Sequence, residues 1–504
     1  MNDDALSALR DLASRDLSEE EIARALLDLT LQAAPPDVAD AVRVCALPAW
    51  FDAGHLALLA GKEEQEAAAL IEKVAAFSFV LPRERGGYVY HEATRARLLD
   101  WWREPERADR FAELNDRLAQ VYLALAREQD RRLNGPDYLD AMAALDAAYP
   151  NVRAAWEGAV ASEHWELVRE FAYILADYFQ RRGLWAEWIA WRRAGLDACE
   201  RAGDAESIAG MQNNLGNAYW SLPTGDRAAN LQMAIACYRE ALRVYTPEAA
   251  PLDYAMTQNN LGLAYAGLPT GDRAANLEQA IACYREALTI EYLPPWSRAR
   301  YLRNLGDAYS EMEDYASAIA TYQQAIDTTP DDPWLFNALG SVYSRQEQHE
   351  QAVEAYTAAL ALATADADRA LLHRNRASDL VHLGRLEEAE QDCEQARTLA
   401  PDHPYTHARL GQLAFARDDY PAAVEHYTAA IERQGEPDFY FDRGLAHLAL
   451  GRPGPARADY RTALSLADSI TIAEARKELE EFAAGHPDTP GLDAVRALLP
   501  SSSS

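Results

Sequence analysis

Asp226 and Arg227 follow a Thr-Gly pair, and Asp272 and Arg273 repeat the arrangement 46 positions on. Both pairs sit in the same decapeptide, LPTGDRAANL, at 222–231 and 268–277. A glycine turn running into a polar helix start is one way to grip a phosphate. The full device needs a preceding buried strand and GxxxxGK[ST]. The only Gly-Lys pair is Gly61-Lys62, and Glu63 follows it. The decapeptide therefore reads as architecture. Pro223 stops one helix, Gly225 turns the chain, and Asp226 caps the next. The remaining chemistry open to Asp226, Arg227, Asp272 and Arg273 is contact with a protein from two protruding loops.

Other reactive residue types form no catalytic set. His91-Glu92 is not HExxH, because Arg95 stands where the second histidine belongs. His403 and His407 are four apart with Pro404 between them, and two ligands do not make a metal site. No GxSxG and no Cys-His signature occurs. The chain is read as a non-enzyme with no catalytic residues, no metal and no cofactor.

The elements that must position these residues are repeats. NNLGNAY at 213–219 recurs as NNLGLAY at 259–265, RNLGDAY at 303–309, NALGSVY at 337–343, RNRASDL at 374–380, ARLGQLA at 408–414 and FDRGLAH at 441–447. Their small residues are Gly216, Gly262, Gly306, Gly340, Ala377, Gly411 and Gly444, spaced 46, 44, 34, 37, 34 and 33 apart. Second halves such as IACYREAL and AVEHYTAAI agree as well. A period of 34 with these residue types resembles the tetratricopeptide repeat (TPR), a pair of antiparallel helices stacked into a solenoid. The two long units carry the decapeptide as a six-residue insertion: Tyr219 to Ala234 is 15 residues, whereas Tyr309 to Ala318 is 9.

Helix A of such a repeat lines the concave surface. The position three before the small residue gives Asn213, Asn259, Arg303, Asn337 and Arg374, then Ala408 and Phe441. A carboxamide both donates to and accepts from a peptide bond, so a ladder of Asn can hold an extended backbone. The arginines could pair with carboxylates. The NNL units resemble those of kinesin light chain-type TPRs, where such asparagines form a ladder. Trp220 and Trp334 stand near the same face as aromatic anchors. The alternative is that these Asn bridge neighbouring helices.

Charge and composition bound the partners. The chain has 504 residues and a net charge of −32, which disfavours nucleic acid and anionic lipid. Only Lys62, Lys73 and Lys477 are lysine. Five cysteines without a CxxC pair read as reduced, buried thiols of an intracellular protein. The acidic start MNDDALSALRDLASRD reads as no signal peptide, and no run approaches a membrane span. The expected location is cytoplasmic.

Upstream, PDVADAVRVCALP, FDAGHLALLAG and EEQEAAALIEKVAAF read as three helices, and SFVLPRERGGYVYHEA as a β-hairpin about Gly86-Gly87. Three helices and a hairpin resemble a winged helix. The stretch 35–200, with YVYHEATRARLLDWW and YPNVRAAWEGAV, resembles the winged-helix and first superhelical segment of STAND-type signalling ATPases and related bacterial regulators. In that family the position of His91 contacts a nucleotide, but no Walker motif accompanies it here. The recognition helix, about 62–76, carries Glu63, Glu64, Glu66 and Glu72, which disfavours a DNA groove.

The expectation is an all-α chain: a TPR superhelical solenoid with an N-terminal winged-helix-like module holding one small β-hairpin. Its segments are N-terminal helices at 1–35, the winged-helix-like domain at 36–104, a helical connector at 105–205, about seven TPR units at 206–466, capping helices at 467–500 and a tail at 501–504. The expected function is a non-catalytic adaptor or sensor binding a protein or peptide in the concave groove, within a bacterial signalling or defence-type system. The alternatives are a DNA-binding regulator, and a regulatory subunit or substrate of a separate signalling ATPase or CHAT-type protease. Nothing in the sequence sets the oligomeric state.

Overall fold

The computed structural model describes residues 18–500. The expected tail at 501–504, and the first 17 residues of the expected N-terminal helices, lie outside them. The chain forms two compact units, divided between Thr270 and Gly271. The boundary falls inside the array expected at 206–466.

The first unit opens with α1 (Glu19–Ala33), whose Ser18 forms a reciprocal capping box with Glu21. Three helices follow: α2 (Pro36–Val44), α3 (Ala53–Ala60) and α4 (Glu64–Ala75). Asp52 caps α3, and Gly61 ends it in the left-handed region. Strands β1 (Val80–Pro82) and β2 (Tyr88–Tyr90) pair antiparallel, with Val80 opposite Tyr90. Phe51 joins the hairpin through an isolated antiparallel bridge to Tyr88. Gly87 is required there: its φ is +73°, and a Cβ would lie 2.8 Å from the Phe51 carbonyl oxygen.

After α5 (Glu92–Trp102), the long pair α6 (Ala108–Arg132) and α7 (Tyr138–Ala161) packs onto this module. The join is polar. Asn151 is fully buried and donates to the Trp50 carbonyl at 3.0 Å and to the Tyr122 hydroxyl at 2.7 Å. His55 stands 2.6 Å from that hydroxyl through Nε2 and 2.7 Å from Asp52 through Nδ1. Helices α8 (Trp165–Tyr173), α9 (Ala176–Arg182) and α10 (Trp185–Ala202) close around Trp191. That ring stacks on Trp156 at 4.9 Å and meets Phe171 and Phe179 edge-on. The unit finishes with α11 (Ala205–Ser221), α12 (Arg227–Ala241) and α13 (Pro251–Ala266).

The second unit begins with α14 (Arg273–Leu288) and then runs in antiparallel pairs. These are α15 (Pro295–Glu311) with α16 (Tyr315–Thr328), α17 (Pro333–Arg345) with α18 (His349–Leu362), and α19 (Asp366–His382) with α20 (Leu386–Leu399). Two more follow: α21 (Pro404–Ala416) with α22 (Tyr420–Arg433), and α23 (Pro437–Ala449) with α24 (Pro453–Leu466). Proline opens five of the first-of-pair helices across the array, where its missing N–H costs no hydrogen bond.

The glycines that recur between repeats are packing devices. A Cβ on Gly306 would sit 2.6 Å from Tyr322, and one on Gly340 would sit 2.7 Å from Tyr356. Each tyrosine ring thus lies directly on its partner helix. The array ends on α25 (Ser469–Gly485), capped by Asp468. This helix buries Leu479 and Phe482 in a cluster with Phe441, Leu445 and Leu448. Helix α26 (Leu492–Arg496) adds Val495 to the same cluster.

Candidate functional site: the helix-A face of the second unit

The decapeptides are helix starts. Asp226 accepts from the Ala228 N–H at 2.9 Å, and Asn230 donates to the Thr224 carbonyl at 2.9 Å. Gly225 has a φ of +81°. Asp272 caps α14 through the Ala274 and Ala275 N–H groups. Arg227 stacks on Trp220, and Arg273 pairs with Glu311. His91 lies exposed at the start of α5 and accepts no cap bond. Arg95 has a structural task instead: its guanidinium donates to the carbonyls of Ala46, Leu47 and Pro48 at 3.0–3.2 Å, satisfying the chain just after α2. His403 and His407 have unpartnered ring nitrogens, and among the described residues no group is placed to hold a metal.

The asparagine ladder needs correction. Asn213, Asn259 and Arg374 are buried, at 3 %, 1 % and 6 % exposure, as are Ala408 and Phe441. At Asn213, Asn259 and Arg374 the position three before the small residue points into the seam between helices. In the first unit Asn213 accepts from Thr257 Oγ1 and Asn260 Nδ2, each at 3.3 Å, so it bridges successive helices. Of the five polar residues at that position, only Arg303 and Asn337, both in the second unit, are half-buried. Trp334 is half-buried too, and Trp220 is exposed.

The open face carries the residues two before and one after the small position. One residue turns a helix by about 100°, so a slip of one moves a side chain off the seam. In the first unit that line holds Asn214, Asn217 and Asn260, with Asn260 donating to Asn217 at 3.2 Å. In the second unit Asn375 donates to Asn337 at 3.0 Å. Ser378 donates to Gln412 at 3.3 Å, and Arg409 donates to the same amide oxygen at 2.8 Å. Polar side chains therefore link three successive A helices.

Below that line lies a pocket of about 230 Å³ between α19, α21, α23 and the cap helix α25. Asp438 and Asp442 line it from α23, and Glu474 and Glu478 from α25. The Glu478 side chain reaches solvent, although the residues around it enclose much of its carboxyl. Enclosure, with Asp438, Glu474 and Glu481 around it, pushes its carboxyl up to about 7 against the pull of Arg409. Asp442 is raised well above the carboxylate range by burial and by Glu478, despite a hydrogen bond from Tyr427. The sequence pattern of α25 alone does not state that Glu474 and Glu478 line this pocket.

Two inter-repeat clamps were also missed. Arg239 over Tyr265 and Arg285 over Tyr309 join a B helix to the next A helix by stacking at 5.7 and 5.6 Å. Further along, Arg376 ties Thr357 at 2.9 Å to the buried Asp392 at 2.7 and 2.8 Å. Arg443 repeats the arrangement with Thr428 and Asp459. His373 adds a second bond to Asp392 at 2.7 Å. Burial opposes the Asp392 charge, but Arg376 and His373 hold its carboxyl below the usual range.

Stacked antiparallel helix pairs with a small residue set against a tyrosine define a tetratricopeptide-repeat solenoid. Family models agree over 306–469: one described as TPR repeat matches 306–347, and three described as tetratricopeptide repeat match 335–370, 368–436 and 409–469. That segment is TPR structure. A DnaJ homolog subfamily C member 7 homolog of Dictyostelium discoideum is 27 % identical over 151 residues, covering 30 % of this chain and 28 % of that protein. The Hsp70-Hsp90 organizing protein of Triticum aestivum is 23 % identical over 183 residues, covering 36 % of this chain and 32 % of that protein. The chain thus spans about a third or less of the length of these relatives. Among solved structures, a tetratricopeptide repeat protein from Parabacteroides merdae aligns at 14 % identity and a TM-score of 0.37, covering 49 % of this chain and 98 % of its own. No described helix is long and apolar enough to cross a membrane.

Proposed function

We propose that this chain is a non-catalytic adaptor that holds an extended protein segment along the helix-A face of its second unit. The observation that carries the reading is the linked polar line Asn337–Asn375 and Ser378–Gln412–Arg409. These groups keep spare donors and acceptors, and their mutual bonds fix their rotamers before a ligand arrives. Pre-organisation lowers the entropy lost on binding. Trp334, one turn before Asn337, supplies an aromatic contact. The organizing role named for the wheat relative is the same class of activity.

The finer reading places the adaptor in a bacterial signalling or defence-type system, in the cytoplasm. Its support is the N-terminal order of three helices and a hairpin, with Phe51 bridging to the hairpin at Tyr88. Helix α4 exposes Glu63, Glu64, Glu66 and Glu72 around its start and outer face, which favours a protein over DNA as the module's partner.

The test is affinity purification of the tagged chain from its native host, wild type beside W334A/N337A/N375A. The reading expects a partner retained by wild type and lost by the variant, with helical circular dichroism unchanged. Equal retention would move the interface off this face.

A further inference from the structure

The polar line has an apolar neighbour one helical turn away. Six residues before the small position, successive A helices of the second unit carry Arg300, Trp334, Leu371, Tyr405 and Asp438. The positions six and two before the small residue are four apart, so they share one face of a helix. At the end of the array the two lines meet in one pocket: Tyr405 and Asp438 line it together with Arg409, Asp442, Ser378 and Gln412. Trp334 and Leu371 are half-buried, and Tyr405 is 36 % exposed. The line therefore runs from a cation through three apolar side chains to an anion. Helix α15 has an extra first turn, which adds Trp296, 62 % exposed, with Arg300 over its ring at 5.4 Å.

Spacing selects what can lie along these two lines. Neighbouring helices pack about 8–10 Å apart, so a segment crossing them meets one apolar side chain in each such step. A β-strand returns to the same side every two residues, about 6.6 Å, and falls out of step. An α-helix returns after seven residues, about 10.5 Å, but its peptide groups are already paired and would leave the polar line unused. A polyproline-II segment returns every third residue, about 9.3 Å, and its peptide groups are free. Of the three, this conformation satisfies both lines. Aromatic surfaces are also where proline-rich segments dock. The charges at the two ends complete the match: Arg300 favours a carboxylate there, and Asp438 favours a cation.

We propose that the segment held on the helix-A face is a polyproline-II stretch with an apolar side chain at every third position, acidic toward α15 and basic toward α23. The inference rests on the adaptor reading above and adds the conformation, register and direction of the ligand. Trp334, Leu371 and Tyr405 take the apolar side chains, while Asn375, Ser378 and Gln412 face the peptide groups.

The test is fluorescence anisotropy of the full chain with two labelled proline-rich peptides of equal composition. Both carry Glu at one end and Lys at the other. One has leucine at every third position, and the other has its leucines at every second position. The proposal expects roughly tenfold tighter binding of the every-third peptide. It also expects that advantage to vanish in Trp334→Ala and in Leu371→Ser, with circular dichroism unchanged, and to persist in E354Q/E425Q on exposed positions of α18 and α22. Equal affinity for the two peptides, or none for either, would overturn it. The native partner separates the two claims. A partner lost with W334A/N337A/N375A, beside no preference between the peptides, would sink the polyproline-II register and leave the adaptor reading standing.

Discussion

Ala377 shares a buried cluster with Cys393 at the seam where the flanking repeats set Gly340 against Tyr356 and Gly411 against Tyr427. The larger helix-A residue is matched by a smaller helix-B residue. This exchange predicts strong coupling. Cys393→Tyr alone forces a ring onto the Ala377 methyl and destabilises by roughly 1–3 kcal/mol. A377G/C393Y recovers at least about 1 kcal/mol of that loss, read by urea unfolding in a double-mutant cycle. Additive effects would show that the two sites do not touch energetically.

Gly340→Ala places a methyl where Tyr356 Cε1 would be only 2.7 Å away. The expected loss is again roughly 1–3 kcal/mol, although alanine is the better helix former. A neutral or stabilised Gly340→Ala protein would mean that the tyrosine ring moves freely.

The Arg376–Asp392 clamp sets an acid limit. The Asp392 carboxyl is held below its ordinary range, so its contribution to stability is complete above the unfolded pKa of about 3.9 and fades as pH falls through the folded value. Asp392→Asn leaves Arg376 without its buried counter-charge and costs about 3 kcal/mol or more near neutral pH. The cost shrinks as pH falls through the folded value, below the ordinary carboxylate range, where the native carboxyl is protonated too. Thermal melts of both proteins across pH 3 to 7 check this.

Glu478 runs the other way. Its folded pKa is raised from 4.5 to about 7. The penalty for its charge is absent below the unfolded value and complete above the folded one. The melting temperature is therefore expected to rise as pH falls from about 8 to about 5, with a smaller rise in Glu478→Gln. Identical pH profiles for the two proteins would place the titration elsewhere.

Much of this was legible from residue spacing. The period of the small residues located the pair Ala205–Ser221 with Arg227–Ala241 in the first unit and the five pairs from Pro295 to Leu466 in the second, and Pro223, Gly225 and Asp226 took their expected places. The ladder was misplaced because a repeat pattern fixes which residues are equivalent, and only the helix phase fixes where they point. Asn213 and Asn214 are adjacent, and one is bridged in the seam while the other is half-open. Thr357, Arg376 and Asp392 were hidden for another reason: their partnership spans three helices and 35 residues of chain. That Glu474 and Glu478 of α25 line a pocket depends on how this helix docks, which its own amphipathic pattern does not state.

Misplacing the ladder changes what an asparagine mutant means. Asn213→Ala leaves the buried Thr257 hydroxyl without its acceptor and is expected to cost about 1–2 kcal/mol with partner affinity intact. Chemical denaturation beside a pull-down separates those effects.

The most direct test of the central claim is site-specific photocrosslinking in the native host. A photoreactive residue is placed at Asn375 or Ser378 on the helix-A face, and at Glu354 or Thr398 on exposed B-helix positions. The account predicts a discrete protein adduct from Asn375 and Ser378 and none from Glu354 or Thr398. Adducts arising only from the B-helix positions, or equally from both faces, would contradict it.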